Sequence, residues 1–262
     1  MQKDLTLLID FYELTMANSY FELGRQDEIA YFDFFFRAIP DNGGYAIFAG
    51  LEQLIEYIEN LSFEEEEIEY LRSKKIFSEE FLKYLKNFKF KGSIYSFKEG
   101  YPIFPGEPII TVKGPIIDCQ IIETALLLTV NHQSLIATKA SRIVESAQGR
   151  IVMEFGARRA HSYDAANYGA RAAYISGVDG TSNTYLDFIA GVPALGTMAH
   201  SYVQSFDSEY EAFLAYAKTY PNDTLLLVDT YDTLRQGIPN AIKVHKEYLE
   251  PRGSYLKGIR ID

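Results

Sequence analysis

The sequence has no tryptophan, a single cysteine and only four histidines among its 262 residues. The lone Cys119 excludes an internal disulfide and a cysteine-only zinc cluster, and it fits a reducing, cytoplasmic setting. Long apolar runs are also missing. The longest, such as Thr124 to Val130, falls far short of the roughly 20 residues needed to cross a bilayer. Asp4, Asp10 and Glu13 interrupt the first twenty residues, which argues against a signal peptide and a membrane anchor there. Positive charge is scarce as well: 25 Lys and Arg face 36 Asp and Glu, a net charge of −11. That balance argues against a general nucleic-acid binder. It leaves room for anionic small molecules, because a few local arginines override a distant acidic surface.

What is present is ordinary for a globular protein: 47% hydrophobic and 23% charged residues. The length suits one large domain or two modest ones. The aromatic content of 15% is entirely Tyr and Phe.

Periodicity divides the chain into two textures. In the first, residues 5–21 carry apolar side chains at helical spacing and end at Gly24. The aromatic stretch 29–36 reads as a strand. Asp41-Asn42-Gly43-Gly44 reads as a turn, and 45–48 as a returning strand that completes a hairpin-like unit. Helices follow over 50–60, 64–73 and 78–88, with Ser62 and Ser78 as expected N-caps. Residues 92–112 then read as short strands broken by Pro102, Pro105, Gly106 and Pro108.

From Asp118 the pattern changes. Two helices, 118–130 and 132–148, lead into an alternating series. Strands are expected at 151–154, 177–178, 194–195, 224–228 and 258–261, with helices at 163–174, 182–190, up to 219, and 233–250. Repeated β–α units imply parallel strands with helices outside. Five strands do not close a barrel. The sheet is therefore open, or the chain is the front portion of a larger protein.

The segment Gly196-Thr-Met-Ala-His-Ser-Tyr-Val-Gln-Ser205 stands out. It places His200 just past the strand expected at 194–195, with Thr197 and Ser201 nearby, where α/β proteins put their chemistry. An imidazole there can carry a proton or a phosphoryl group near working pH. By contrast, His132, His161 and His245 have no metal-ligand spacing with one another or with Cys119, and they read as structural or surface residues. No metal-ligating set is expected from this chain. The turn Gly177 to Ser182 lacks a Walker lysine and a dinucleotide fingerprint. Anion binding by its backbone N–H groups and a plain strand-to-helix turn are equally good readings.

Several segments together resemble one family, the nicotinate phosphoribosyltransferases. They are Asp10-Phe-Tyr-Glu-Leu-Thr-Met16, Phe34-Phe-Phe-Arg37, Gly43-Gly-Tyr-Ala-Ile-Phe-Ala-Gly50 and Glu154-Phe-Gly-Ala-Arg-Arg-Ala160. Further on come Ala172 to Asn183, Gly196 to Ser201, Val228-Asp-Thr-Tyr-Asp-Thr-Leu234 and Gly258-Ile-Arg-Ile-Asp262. The resemblance implies an α/β architecture: an N-terminal α+β domain, 1–117, then the first part of a parallel β/α barrel of the type II phosphoribosyltransferase kind, 118–262. The barrel is incomplete, because the family continues past Asp262 with a Ser-Gly-Asp segment and further strands.

The function implied is the first step of NAD salvage. Nicotinate and phosphoribosyl pyrophosphate give nicotinate mononucleotide and pyrophosphate, with Mg²⁺, and with ATP hydrolysis coupled through a phosphohistidine matched by His200. Tyr12 matches a ring-stacking tyrosine that reaches in from the other subunit of a homodimer. Phe155 offers an aromatic face to the pyridine ring, and Arg158 a guanidinium fork for phosphate. Arg159 and Arg171 either share that work or pair with Glu154 and Asp164. Thr197 is either a hydroxyl donor to substrate or a strand-end threonine. Arg260 matches the residue that packs against ring and carboxylate, and Asp262 an acid that contacts ribose or metal. Ser182 replaces the aspartate of nicotinamide-using relatives, which favours the acid over the amide. Two alternatives stay open: a fragment that needs a second chain, and a nicotinamide-using relative.

Overall fold

The computed structural model describes residues 5–262. The chain forms two compact units, Met1–Ala194 and Leu195–Asp262.

The first unit begins with helix α1 (Phe11–Glu22). Residues 5–10 stay outside it, with Asp10 extended at the N-cap, so the expected helix starts later than its apolar spacing suggested. Strand β1 (Ile29–Phe34) and strand β2 (Ala46–Ile47) follow. They do not pair with each other, which corrects the expected hairpin. Strand β1 runs antiparallel to β5 (Ile110–Pro115), which also takes β3 (Ser93–Ser96) on its other side. Strand β2 pairs with β4 (Pro102–Ile103). The reason is burial. Alternate residues of β5, Ile110, Val112 and Gly114, face the core, and the buried Phe34 stands opposite Ile110 in register.

Helices α2 (Leu51–Asn60), α3 (Glu65–Ser73) and α4 (Glu79–Lys86) contribute buried side chains to the same core as these strands. Ser78 caps α4 as expected, accepting from the Phe81 N–H at 3.1 Å. Ser62 does not cap α3. Glu64 takes the N-cap position and its N–H donates to Glu67 at 3.0 Å, half of a capping box. Phe81 is fully buried and packs against Phe21, Phe77 and Tyr84. Enclosing a ring of this size contributes about 2–3 kcal/mol.

Helix α5 (Ile116–Ile121) and the long α6 (Glu123–Ala147) part at Ile122 rather than at Asn131. Nothing at 131 breaks a helix, whereas Ile122 leaves helical geometry at φ −94, ψ 0. Beyond α6, strand β6 (Met153–Glu154) lies parallel to β7 (Gly180–Thr181), with helix α7 (Tyr163–Ile175) between them in sequence. The strand expected at 177–178 lies instead at 180–181. Gly177 (φ +95) and Val178 are used in closing α7, donating to Tyr174 and Ala173. Helix α8 (Thr184–Ala190) follows, and a single parallel bridge joins Thr181 to Ala194 in place of the strand expected at 194–195. A side chain at Gly180 would collide with the Pro193 carbonyl and with Met153, so glycine permits this close approach.

The second unit contains α9 (His200–Gln204), α10 (Glu209–Thr219), strand β8 (Leu225–Leu227), α11 (Ile238–Val244) and strand β9 (Gly258–Arg260). Wider π-turns at Thr233–Gly237 and His245–Leu249 flank α11. Strands β8 and β9 are parallel, Leu226 opposite Ile259. Phe213, Leu226, Leu227, Val228, Val244 and Leu249 form the core of this unit. Gly237 lets its turn pass against the Val228 carbonyl, where any Cβ would overlap. Among the described residues no helix is long and apolar enough to cross a membrane.

Candidate functional site

Parallel strands leave their C-terminal ends lined by the residues that follow them, and each unit carries such a rim. In the second unit, Asp229 and Thr230 follow β8, while Arg260 and Asp262 lie at the end of β9. His200 opens α9 and joins them. Its Nδ1 lies 3.2 Å from Thr230 Oγ1, and its Nε2 lies 3.7 Å from an Asp262 carboxylate oxygen. The same Asp262 oxygen is 3.2 Å from the Arg260 guanidinium. Arg260 also donates to Thr197 Oγ1 and to the Met198 carbonyl, each at 3.3 Å. Of the residues expected from sequence, His200, Thr197, Arg260 and Asp262 therefore converge.

His200 is neither enclosed by aliphatic side chains nor turned from the rim: its side chain is 40% exposed. A partly exposed imidazole with a hydroxyl at one ring nitrogen and a carboxylate near the other is suited to accept and release a phosphoryl group. Asp229 and Thr230 belong to this cluster and received no role from sequence. They lie in the Val228–Leu234 segment, and a carboxylate directly after the apolar run Leu225–Val228 was the available signal. One Asp229 oxygen accepts the Asp262 N–H at 2.8 Å. The other is buried without a partner among the described residues.

The first unit carries the second rim. Phe155 follows β6 and Ser182 follows β7, and the Ser182 N–H donates to the Glu154 carbonyl at 2.9 Å. Both side chains are exposed, as is Arg158 in the helical turn Ala157–Arg159. Thr181 donates to Glu154 at 2.7 Å, which steadies the edge that presents Phe155. Asn183, not Ser182, caps α8, accepting from the Tyr185 N–H at 3.1 Å. The hydroxyl of Ser182 is thus not used as a cap.

One expectation changes. Arg171 pairs with neither Glu154 nor Asp164. It bonds to Glu52 and to Glu99, the latter at 2.8 Å, with only 16% of Arg171 and 18% of Glu99 exposed. Burial alone would raise the Glu99 carboxyl. The Arg171 guanidinium and the N–H groups of Gly50 and Leu51 overcome this and hold it below its ordinary value. That assembly anchors the start of α2. Tyr12, exposed on the first turn of α1, donates to Glu123 at 2.7 Å. This bond, with burial, pushes its phenol above the usual range. Cys119 is buried, and its thiol is pushed up to about 11 by burial and then by Asp118, which leaves it inert near neutral pH.

Two family models match the chain: the nicotinate phosphoribosyltransferase N-terminal domain over residues 7–131, and the nicotinate phosphoribosyltransferase family over residues 151–238. The chain belongs to the nicotinate phosphoribosyltransferase family. It is 48% identical over 258 residues to a nicotinate phosphoribosyltransferase of Bacillus subtilis, matching 98% of this chain and 52% of that relative. It is 46% identical over 240 residues to one from Mycobacterium tuberculosis, matching 92% of this chain and 51% of the relative. The chain thus spans about half the length of these relatives. The crystal structure of human nicotinic acid phosphoribosyltransferase superposes with a TM-score of 0.88 at 29% identity, over 96% of this chain and 60% of that one. A nicotinate-nucleotide pyrophosphorylase from Pyrococcus furiosus, at 22% identity and a TM-score of 0.72, shares the fold. The α/β architecture expected for the type II phosphoribosyltransferases is the one found.

Proposed function

We propose that the protein transfers a phosphoribosyl group from phosphoribosyl pyrophosphate to the ring nitrogen of nicotinate, forming nicotinate mononucleotide and pyrophosphate in NAD salvage. The observation that carries this reading is the half-open His200 imidazole, set between Thr230 and Asp262 at the ends of parallel β8 and β9, within a chain of this family.

The C–N bond forms as the bond from the anomeric carbon to pyrophosphate breaks, and charge builds on the sugar and on the leaving group. Phe155 offers a face to the ring, and Arg158 and Arg260 offer guanidinium groups to phosphate or carboxylate. Thr197, already held by Arg260, offers a hydroxyl. Ser182 leaves the ring substituent unopposed by charge, which suits an acid rather than an amide. His200 takes the γ-phosphoryl group of ATP, and ADP departs with the bonding electrons. Hydrolysis of the phosphohistidine then couples ATP to synthesis.

Mg²⁺ fits the donors present. Asp229 keeps one buried oxygen unpartnered among the described residues, and the Asp262 backbone N–H bonds to its other oxygen; Mg²⁺ takes one or two carboxylates together with substrate phosphates. These two residues would hold it, and the bound ion would neutralise charge on the phosphates.

The assembly proposed is a homodimer in which Tyr12 of one subunit stacks on the ring held by the other. Its exposed position on α1 supports this. A cytoplasmic setting suits the buried, unpaired Cys119.

Incubating the protein with nicotinate, phosphoribosyl pyrophosphate, ATP and Mg²⁺ tests the reading, with the mononucleotide followed by chromatography. Product that depends on all four supports it, and absence of product overturns it.

A further inference from the structure

Glu13 has no role in the chemistry above, yet it is among the most enclosed charged residues of the protein, with none of its surface exposed. It follows Tyr12 on the first turn of α1. One carboxylate oxygen accepts from both the backbone N–H, at 3.1 Å, and the hydroxyl of Thr124, on the first turn of α6. That hydroxyl in turn accepts from the Asp10 N–H at 3.3 Å. The neighbouring pair repeats the connection, Tyr12 donating to Glu123 at 2.7 Å. The first turns of two helices, 111 residues apart in sequence, are therefore joined by adjacent residues on each side.

Such a join is costly to maintain. The second Glu13 oxygen is buried without a partner among the described residues, and a buried polar atom left unmatched opposes folding. A core position filled by an apolar side chain would avoid that cost. What the carboxylate adds is direction. It occupies an N–H at the start of α6 that the helix itself cannot satisfy, and so fixes the rotation of α1 about its axis. Tyr12, one residue earlier, is turned toward Glu123 by the same constraint.

We propose that Glu13 is a positioning residue: by fastening α1 to Thr124 it holds Tyr12 where the ring of nicotinate is to be gripped. This rests on the reading of Tyr12 as a ring-binding residue. The carboxylate itself touches no substrate.

Three variants test it, each followed by amide hydrogen exchange over residues 10–16 and by steady-state kinetics. Glu13→Ala removes the fastening. Exchange in this segment should rise at least tenfold, and the KM for nicotinate about tenfold, with kcat within twofold of wild type. Glu13→Gln keeps an oxygen that accepts from Thr124 and should restore both readouts. Tyr12→Ala should raise the same KM while exchange over residues 13–16 stays within twofold of wild type. Unchanged exchange in Glu13→Ala overturns the proposal, as does a fall in kcat with KM unaltered, which marks general loosening. If Tyr12→Ala leaves KM unchanged, or no variant and no wild type turns over, the functional reading of Tyr12 fails, while the exchange data still decide whether Glu13 fastens the helices.

Discussion

Two ion clusters, one in each unit, use the same residue types for opposite ends. In the first, Arg171 and Glu99 are mostly enclosed, and Glu99 also accepts the N–H groups of Gly50 and Leu51. Each charge is matched, and the group serves as a strut beneath α2. In the second, Asp262 is shared between Arg260 and His200, the His200–Asp262 pair is 40% and 39% exposed, and Asp229 keeps a buried oxygen unmatched among the described residues. Completeness of pairing, rather than the presence of charge, separates scaffold from site. The satisfied cluster has nothing left to offer a ligand, whereas the part-exposed one keeps groups that a ligand can complete.

The sharpest way to break this contrast is to remove the arginine from each cluster. Arg171→Ala leaves Glu99 enclosed and unpaired, and urea unfolding should show a loss of about 3 kcal/mol. Arg260→Ala should cost less than about 1 kcal/mol, since its partner reaches solvent, yet raise the KM for nicotinate about tenfold. Equal stability losses in the two variants would erase the distinction. Ser182→Asp probes the other rim: it should lower kcat/KM for nicotinate about tenfold through like-charge repulsion while favouring the amide, read by direct competition.

The smallest effect concerns Glu13. Burial first, and then the charge of Glu123, raise its carboxyl from 4.5 to about 7, against the hydrogen bonds from Thr124 that lower it. The folded protein therefore keeps a proton that the unfolded chain has released, and stability falls as pH rises from about 4.5 to about 7. Glu13→Gln should match wild type at pH 4 and melt about 3 °C higher at pH 8, the equivalent of about 1 kcal/mol in a chain of this size. A melting curve unchanged at both pH values would remove Glu13 from the ionisable groups that matter.

Sequence carried the order of helices and the parallel β–α alternation, because periodicity and N-caps such as Ser78 act locally. It failed where pairing is decided at a distance. Strand β1 chose β5, some eighty residues away, over its neighbour β2, and no spacing pattern records that choice. The shift of β7 to 180–181 has a different cause: residues 177 and 178 are drawn into closing α7. At the site, His200 and its neighbours were legible through the resemblance, while Asp229 and Thr230 were not, since a carboxylate and a hydroxyl after a strand look like any turn. For Arg171, the alternative of pairing with Glu154 or Asp164 fails for the same reason as the β1 hairpin. Its carboxylates, Glu52 and Glu99, lie far along the chain.

The central claim is that the imidazole at the end of β8 and β9 receives phosphate. Incubation with γ-labelled ATP and Mg²⁺, followed by acid and alkaline treatment, measures this directly. The expected result is acid-labile, base-stable label on wild-type protein that maps to His200 and is lost in His200→Ala. Label retained by His200→Ala, or none on the wild type, would contradict it.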